Sequence, residues 1–144
     1  MDTQLVLNAV NLLGVTALGI QDALYMKIHK WMAYAYLISG LIISMILRSP
    51  EKTALSAVPG LILLIISIAT KEKIGLGDCV TVIGLGLWTG IEGTLLSVFI
   101  GIGLSSVVSI IYMAVNKIKG LSGKKAIPFI PFLMCGLVVS IVSG

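Results

Sequence analysis

The stretch Ile74-Gly75-Leu76-Gly77-Asp78-Cys79-Val80-Thr81-Val82-Ile83-Gly84-Leu85-Gly86-Leu87-Trp88-Thr89-Gly90-Ile91 carries one charge, on Asp78. About 20 apolar residues at 1.5 Å each cover the roughly 30 Å hydrocarbon core of a bilayer, so a run of this length reads as a membrane helix. Similar runs lie on either side, and the reading extends outward to helices near 5–21, 31–47, 53–70, 74–91, 93–115 and 126–143. Composition agrees. AVILMFWYC residues supply 58% and charged residues 11%, against roughly 25% charged in a soluble domain, so a water-soluble globule is excluded. The predicted fold is all-α, a polytopic membrane protein forming a six-transmembrane-helix bundle in one domain over residues 1–144. The chain opens Met1-Asp2-Thr3-Gln4 without a basic segment, so the first run is expected to be a retained helix and not a signal peptide.

Nearly all the charge sits in the breaks between runs. With six helices the breaks alternate sides, which groups Lys27, Lys30, Lys71, Lys73, Lys117, Lys119, Lys124 and Lys125 on one side and leaves Arg48 and Lys52 opposite. Lys and Arg accumulate in short cytoplasmic loops. The expected topology therefore puts the first, third and fifth loops in the cytoplasm and both termini outside it. The net charge of +4 is a topology signal on this reading and does not point to nucleic acid. In the fifth run Gly93, Ser97, Gly101, Ser105 and Ser109 place a small residue at every fourth position, and Gly86 and Gly90 repeat the pattern in the fourth. Such seams let helix backbones approach closely in lipid.

Two acids stand against apolar runs instead of among loop charges: Asp22, after Gly19-Ile20-Gln21, and Asp78. An aspartate at the centre of a membrane helix costs about 2.5–3.5 kcal/mol, less near the interface, so such residues are usually kept for a task or a partner. The first helix runs toward the cytoplasm and ends at Asp22; the fourth leaves it and opens with Asp78. Both carboxylates are thus expected on one side at similar depth. Two carboxylates within hydrogen-bonding distance share a proton, leaving one as base and the other as acid. Such a pair can activate water against a peptide carbonyl, relay protons or bind a cation.

Gly75-Leu76-Gly77-Asp78 resembles the G-x-G-D motif of intramembrane aspartyl proteases and, among them, of type IV prepilin peptidases. The resemblance extends to Asp22 followed by Lys27-Ile28-His29-Lys30-Trp31, to the glycine-rich continuation from Val82 to Gly90, and to Lys124-Lys125 followed by Ala126-Ile127-Pro128-Phe129-Ile130-Pro131-Phe132-Leu133. The chain departs from the family pattern at Val80, where a lysine is frequent, and at His29, where a proline often follows the isoleucine. The resemblance implies a membrane aspartic endopeptidase with Asp22 and Asp78 as catalytic residues. Gly75 and Gly77 would be the glycines that let the backbone bend and a substrate strand approach. The chain resembles the short form associated with Flp or tight-adherence pili, without the zinc-binding methyltransferase module. This implies prepilin or pseudopilin substrates, cleavage at the cytoplasmic face of the cell membrane, membrane lipid as surroundings, and no metal or organic cofactor.

Other residues carry weaker signals. Gln21 is placed to hydrogen-bond Asp22 or a neighbouring helix, Tyr25 to face the same groove, and Pro128 and Pro131, by resemblance, to frame the site at the entry of the last helix. His29 reads as a solvated imidazole, and Cys79 as a packing residue without a base partner. Cys79 and Cys135 form no C-x-x-C pair, so no zinc ribbon or disulfide framework is indicated. Two other functions use the same sequence: a small proton-coupled transporter or channel subunit working through the two aspartates, and a non-catalytic partner in pilus or secretion assembly.

Overall fold

The structure, a computed structural model, describes residues 3–25, 28–71, 75–120 and 127–144. It contains five helices, α1 (Thr3–Tyr25), α2 (Lys30–Leu47), α3 (Pro50–Ala69), α4 (Leu76–Ile118) and α5 (Ile130–Ser143), and no strand among the described residues. Lys27, Lys73, Lys124 and Lys125, and the expected helix starts at residues 74 and 126, lie outside the described residues. Four of the helices are long and apolar enough to cross a membrane. Leucine, isoleucine, valine and methionine side chains cover the outer surface, as in a bundle whose solvent is lipid.

The expected six helices are corrected to five, because the fourth and fifth runs are one element, α4. At 43 residues a straight helix would measure about 65 Å, twice the hydrocarbon thickness. It is not straight. Gly90 adopts φ 87°, ψ 178°, a conformation essentially confined to glycine, and the chain turns back there. A Cβ on Gly86 would lie 3.5 Å from Thr94 Oγ1, although eight residues of straight helix would separate the two by about 12 Å. No loop is needed, so no charged break marks the turn beyond Glu92.

Arg48 holds the turn. Its guanidinium donates from Nη1 to the Leu87 carbonyl at 3.0 Å and from Nη2 to the Trp88 carbonyl at 3.1 Å, supplying donors to carbonyls that the end of a helical arm leaves unpaired. The arginine that opposes the lysines in the topology count thus has a structural task of its own.

Helix register follows from close contacts. The first arm of α4 runs parallel to α2, with Gly84 against Tyr36 and Gly40 against Trp88, and antiparallel to α3, with Gly60 against Ile83 and Gly86 against Ser56. The second arm runs antiparallel to α5: Gly93 faces Ser140, Gly136 faces Ser97 and Gly101 faces Leu133. Gly19 lies against Ile130 and Pro131, and Thr16 Oγ1 donates to Met134 Sδ at 3.3 Å, so α1 and α5 are also antiparallel. Around the first arm Val15, Leu18, Tyr36, Val82, Leu85, Ile130, Leu133 and Leu137 form the core.

Two boundaries differ from expectation. α3 begins at Pro50, three residues before the expected 53, because Ser49 is its N-cap, Pro50 fills the first turn and Glu51 faces the positive helix end. α5 begins at Ile130 and not near 126, since residues 127–129 are non-helical and a residue before proline, as Ile127 is, disfavours the α conformation.

A side chain at Gly136 would strike the Ser97 backbone, whereas a Cβ at Gly103 meets nothing within 4 Å. Gly136→Val is expected to destabilise the bundle by about 1–3 kcal/mol, and Gly103→Ala to leave it unchanged or raise it by about 0.5–1 kcal/mol. Thermal unfolding in micelles reads both, and equal melting of Gly136→Val and wild type would contradict the α4–α5 contact.

Candidate functional site

Asp22 lies one turn before the end of α1 and is 7% exposed. Its Oδ2 accepts the Ile130 backbone N–H at 3.2 Å. That N–H belongs to the first residue of α5, where backbone donors have no partner inside the helix and the helix end favours negative charge. The flanking sequence reinforces this use, because Pro128 and Pro131 have no N–H to offer and Ile130 between them does.

Asp78 is the third residue of α4, whose N-cap is Gly75. The Gly75 carbonyl accepts the Asp78 N–H at 3.0 Å and the Cys79 N–H at 3.3 Å, and the Asp78 carboxylate folds back so that a Cβ on Gly75 would meet Oδ2 at 3.3 Å. Gly75 has φ −61°, a value open to any residue, so what it supplies here is room for the carboxylate. Gly77 does the same for a different neighbour, since a Cβ there would meet Ile28 Cβ at 3.1 Å and Cδ1 at 3.2 Å. Neither glycine of the motif has a positive φ.

The fold therefore brings Asp22 and Asp78 to one end of the bundle, Asp22 near the end of α1 against the first residue of α5 and Asp78 in the first turn of α4 beside the Gly77–Ile28 contact. Below them Cys79 is fully buried against Ser67 of α3, and Thr81 Oγ1 donates to the Gly77 carbonyl at 2.8 Å. Among the described residues no group of three or more His, Cys, Asp or Glu side chains gathers to hold a metal. A cavity of about 370 Å³ lies at the opposite end, beside Arg48, Trp88, Glu92 and Ser140, and contains neither aspartate.

The remaining expected residues divide. Pro131 lies against Gly19, one turn before Asp22, and so stands beside the site; Pro128 is half-buried in the non-helical entry to α5. Tyr25 is largely exposed and makes no hydrogen bond to either carboxylate. Gln21 does not bond Asp22: its Oε1 accepts the His29 backbone N–H at 3.1 Å and its Nε2 meets His29 Nδ1. His29 is exposed, as the solvated reading expects, and is in addition tied to α1 by Gln21. Sequence reasoning missed three partners, the Ile130 N–H, Ile28 and His29. The two prolines are a signal for the first; nothing in the spacing marks the other two.

A family model described as the type IV leader peptidase family matches residues 9–112, a span that includes both aspartates and both glycines of the motif. No curated protein and no solved structure matches the chain.

The packing around Asp78 is open to a thiol test. Cys79 is buried and Cys135 exposed, so a maleimide is expected to modify Cys135 alone in native micelles and Cys79 only after denaturation. Rapid native labelling of Cys79 would show that the start of α4 is not packed against α3 as described.

Proposed function

The chain belongs to the type IV leader peptidase family, and from that membership we propose that it is a membrane-embedded aspartic endopeptidase in which Asp22 and Asp78 are the catalytic pair. The observation that supports the proposal is that these two acids, 56 positions apart, stand at the same end of the bundle, Asp22 buried and Asp78 half-buried. In the proposed chemistry one carboxyl is protonated and the other ionised when substrate is attacked. The ionised member takes a proton from a water molecule as that water attacks the scissile carbonyl, and the protonated member donates to the developing oxyanion. Proton transfer belongs to the pair, so the rate follows two apparent ionisations and the pH profile is bell-shaped.

On this reading α4 crosses the membrane twice, its arms joined at Gly90, and the chain makes six crossings with both termini outside the cytoplasm. Asp22 and Asp78 then face the cytoplasmic side, where prepilin leaders are presented. Leu133 of α5 lies level with Gly101, so Ile130 lies near the level of residue 104. The second arm continues from there to Ile118, about 20 Å further. The carboxylates thereby lie at the end of the packed bundle, short of the tip of its longest helix, which runs on from residue 102 without a buried residue. The substrate class is a prepilin-like chain of the Flp or tight-adherence kind, with a short basic leader, a small residue before the cut and an apolar helix after it.

Burial along α1 argues against the proton-transport alternative. Asn11, Val15, Leu18 and Asp22 share one face of α1, and between Asn11 and Asp22 that face presents only the fully buried Val15 and Leu18. A proton leaving the carboxylates along α1 meets two apolar layers.

Co-expression with such a prepilin, followed by gel shift of the leader, tests the assignment. Asp22→Asn and Asp78→Asn are each expected to slow processing roughly 100- to 10,000-fold while the protein inserts and melts as wild type. Full processing by either variant would reject the pair.

A further inference from the structure

Beside the two carboxylates runs a chain of contacts that neither the family match nor the proposed chemistry assigns. Gln21 precedes Asp22, and Gly77 precedes Asp78. Between these two neighbours stand His29, bonded to Gln21, and Ile28, packed on Gly77. The bond is specific in its chemistry. A backbone N–H only donates, so the Gln21 atom facing the His29 amide is the carbonyl Oε1, and the atom facing the imidazole is the Nε2 amide. A side-chain amide nitrogen also only donates, so His29 Nδ1 accepts and the ring carries its proton on Nε2. The same residue is the N-cap of α2, and its carbonyl receives the Met32 and Ala33 N–H groups. The glutamine therefore fixes both the side chain and the backbone of the residue that starts α2. One position earlier, Ile28 fills the space left by the missing side chain of Gly77 and packs against the core.

We infer that Gln21, His29 and Ile28 form a tether that sets the separation of the two carboxylates, with Gln21 and His29 as positioning residues; this rests on the aspartic-protease reading of Asp22 and Asp78. Its ends are the residues adjoining the two acids in sequence, so loosening it moves one carboxylate relative to the other without removing any reacting group. Misplacement of reacting groups by about 1 Å can slow an enzyme about 100-fold. Gly77 is required on this account because any side chain there would displace Ile28.

The chain has one histidine, so its imidazole nitrogens give a single pair of resonances in nitrogen-15-labelled protein in micelles. In the full-length wild type they are expected to report a protonated Nε2 and an accepting Nδ1. Gln21→Ala is expected to redistribute the tautomers, and Gln21→Glu to invert them, since a carboxylate accepts from Nδ1–H while still holding the His29 amide. In leader cleavage, Gln21→Ala and His29→Ala are each expected to lower kcat on the order of tenfold with KM within about twofold. The double variant should be no worse than either single one. His29→Asn, whose Oδ1 stands in for Nδ1, should keep kcat within about threefold.

A resonance pair indifferent to Gln21→Ala, or equal rates for His29→Ala and His29→Asn, would overturn the tether. A wild type that cleaves no leader but keeps the Nε2–H signature and its response to Gln21→Ala would reject the protease reading and leave the contact standing. Cleavage at the wild-type rate by His29→Ala would reject the tether and leave the protease.

Discussion

In lipid an apolar side chain gains little by turning from solvent to a neighbouring helix, so a bundle coheres where its backbones can touch. Here those contacts converge on the first arm of α4. Cys79, Thr81, Val82 and Leu85 on that arm are fully buried, and Gly84 and Gly86 admit α2 and α3 to near contact, with Gly40 and Gly60 answering from the other side. Gly101 and Gly136 do the same between the second arm and α5. Asp78 inherits its place from this packing, and Asp22 inherits its own from α1 and α5. Their placement at one end is a property of helix contacts over the whole bundle.

Much of this was legible in the sequence, for identifiable reasons. Apolar runs report membrane helices because lipid leaves the backbone no other partner, and an acid inside such a run reports function because burial without a partner is costly. The placement of Asp22 and Asp78 at one end of the bundle was therefore readable once the helices were counted. A break beside Glu92 was readable too, but not that the chain reverses there without a loop, because one glycine with a positive φ leaves no further trace. The start of α3 was readable and overlooked, since Ser49-Pro50-Glu51 is a helix-start signal standing among loop charges. The bond from Gln21 to His29 spans eight positions across two helices, and no periodicity joins residues on different elements. Gly77 carries the clearest lesson: the motif marks where side chains are excluded, and only the packing reveals that Ile28 takes the space.

Charge placement illustrates how one residue serves two constraints. Arg48 opposes the majority of the basic residues across the bundle, which weakens the topology signal by one. Its guanidinium nevertheless binds the Leu87 and Trp88 carbonyls at the point where α4 reverses. The end of a helical arm leaves its last carbonyls without intrahelical partners. Arginine meets that demand with several donors held in a planar fork. Arg48 and Gly90 thus act together, the glycine permitting the turn and the arginine satisfying the groups the turn exposes.

The two ends of the bundle are consequently held by different means. At the Gly90 end an arginine fixes backbone carbonyls; at the other, the Ile130 amide fixes one carboxylate directly, while Asp78 is placed by its helix and by the contact of Gly77 with Ile28. On the proposed aspartic-protease reading there is reason to hold the two acids this way. If hydrogen bonds satisfied both carboxylates fully, each would be committed before substrate arrives, and neither oxygen would be free to take or give a proton. Holding one acid by a backbone amide and the other by packing keeps their geometry while leaving hydrogen-bonding capacity for water and for the peptide carbonyl. Burial strengthens whatever bonds the carboxylate oxygens make, so on that reading capacity left unspent among the described residues is directed to the reacting groups.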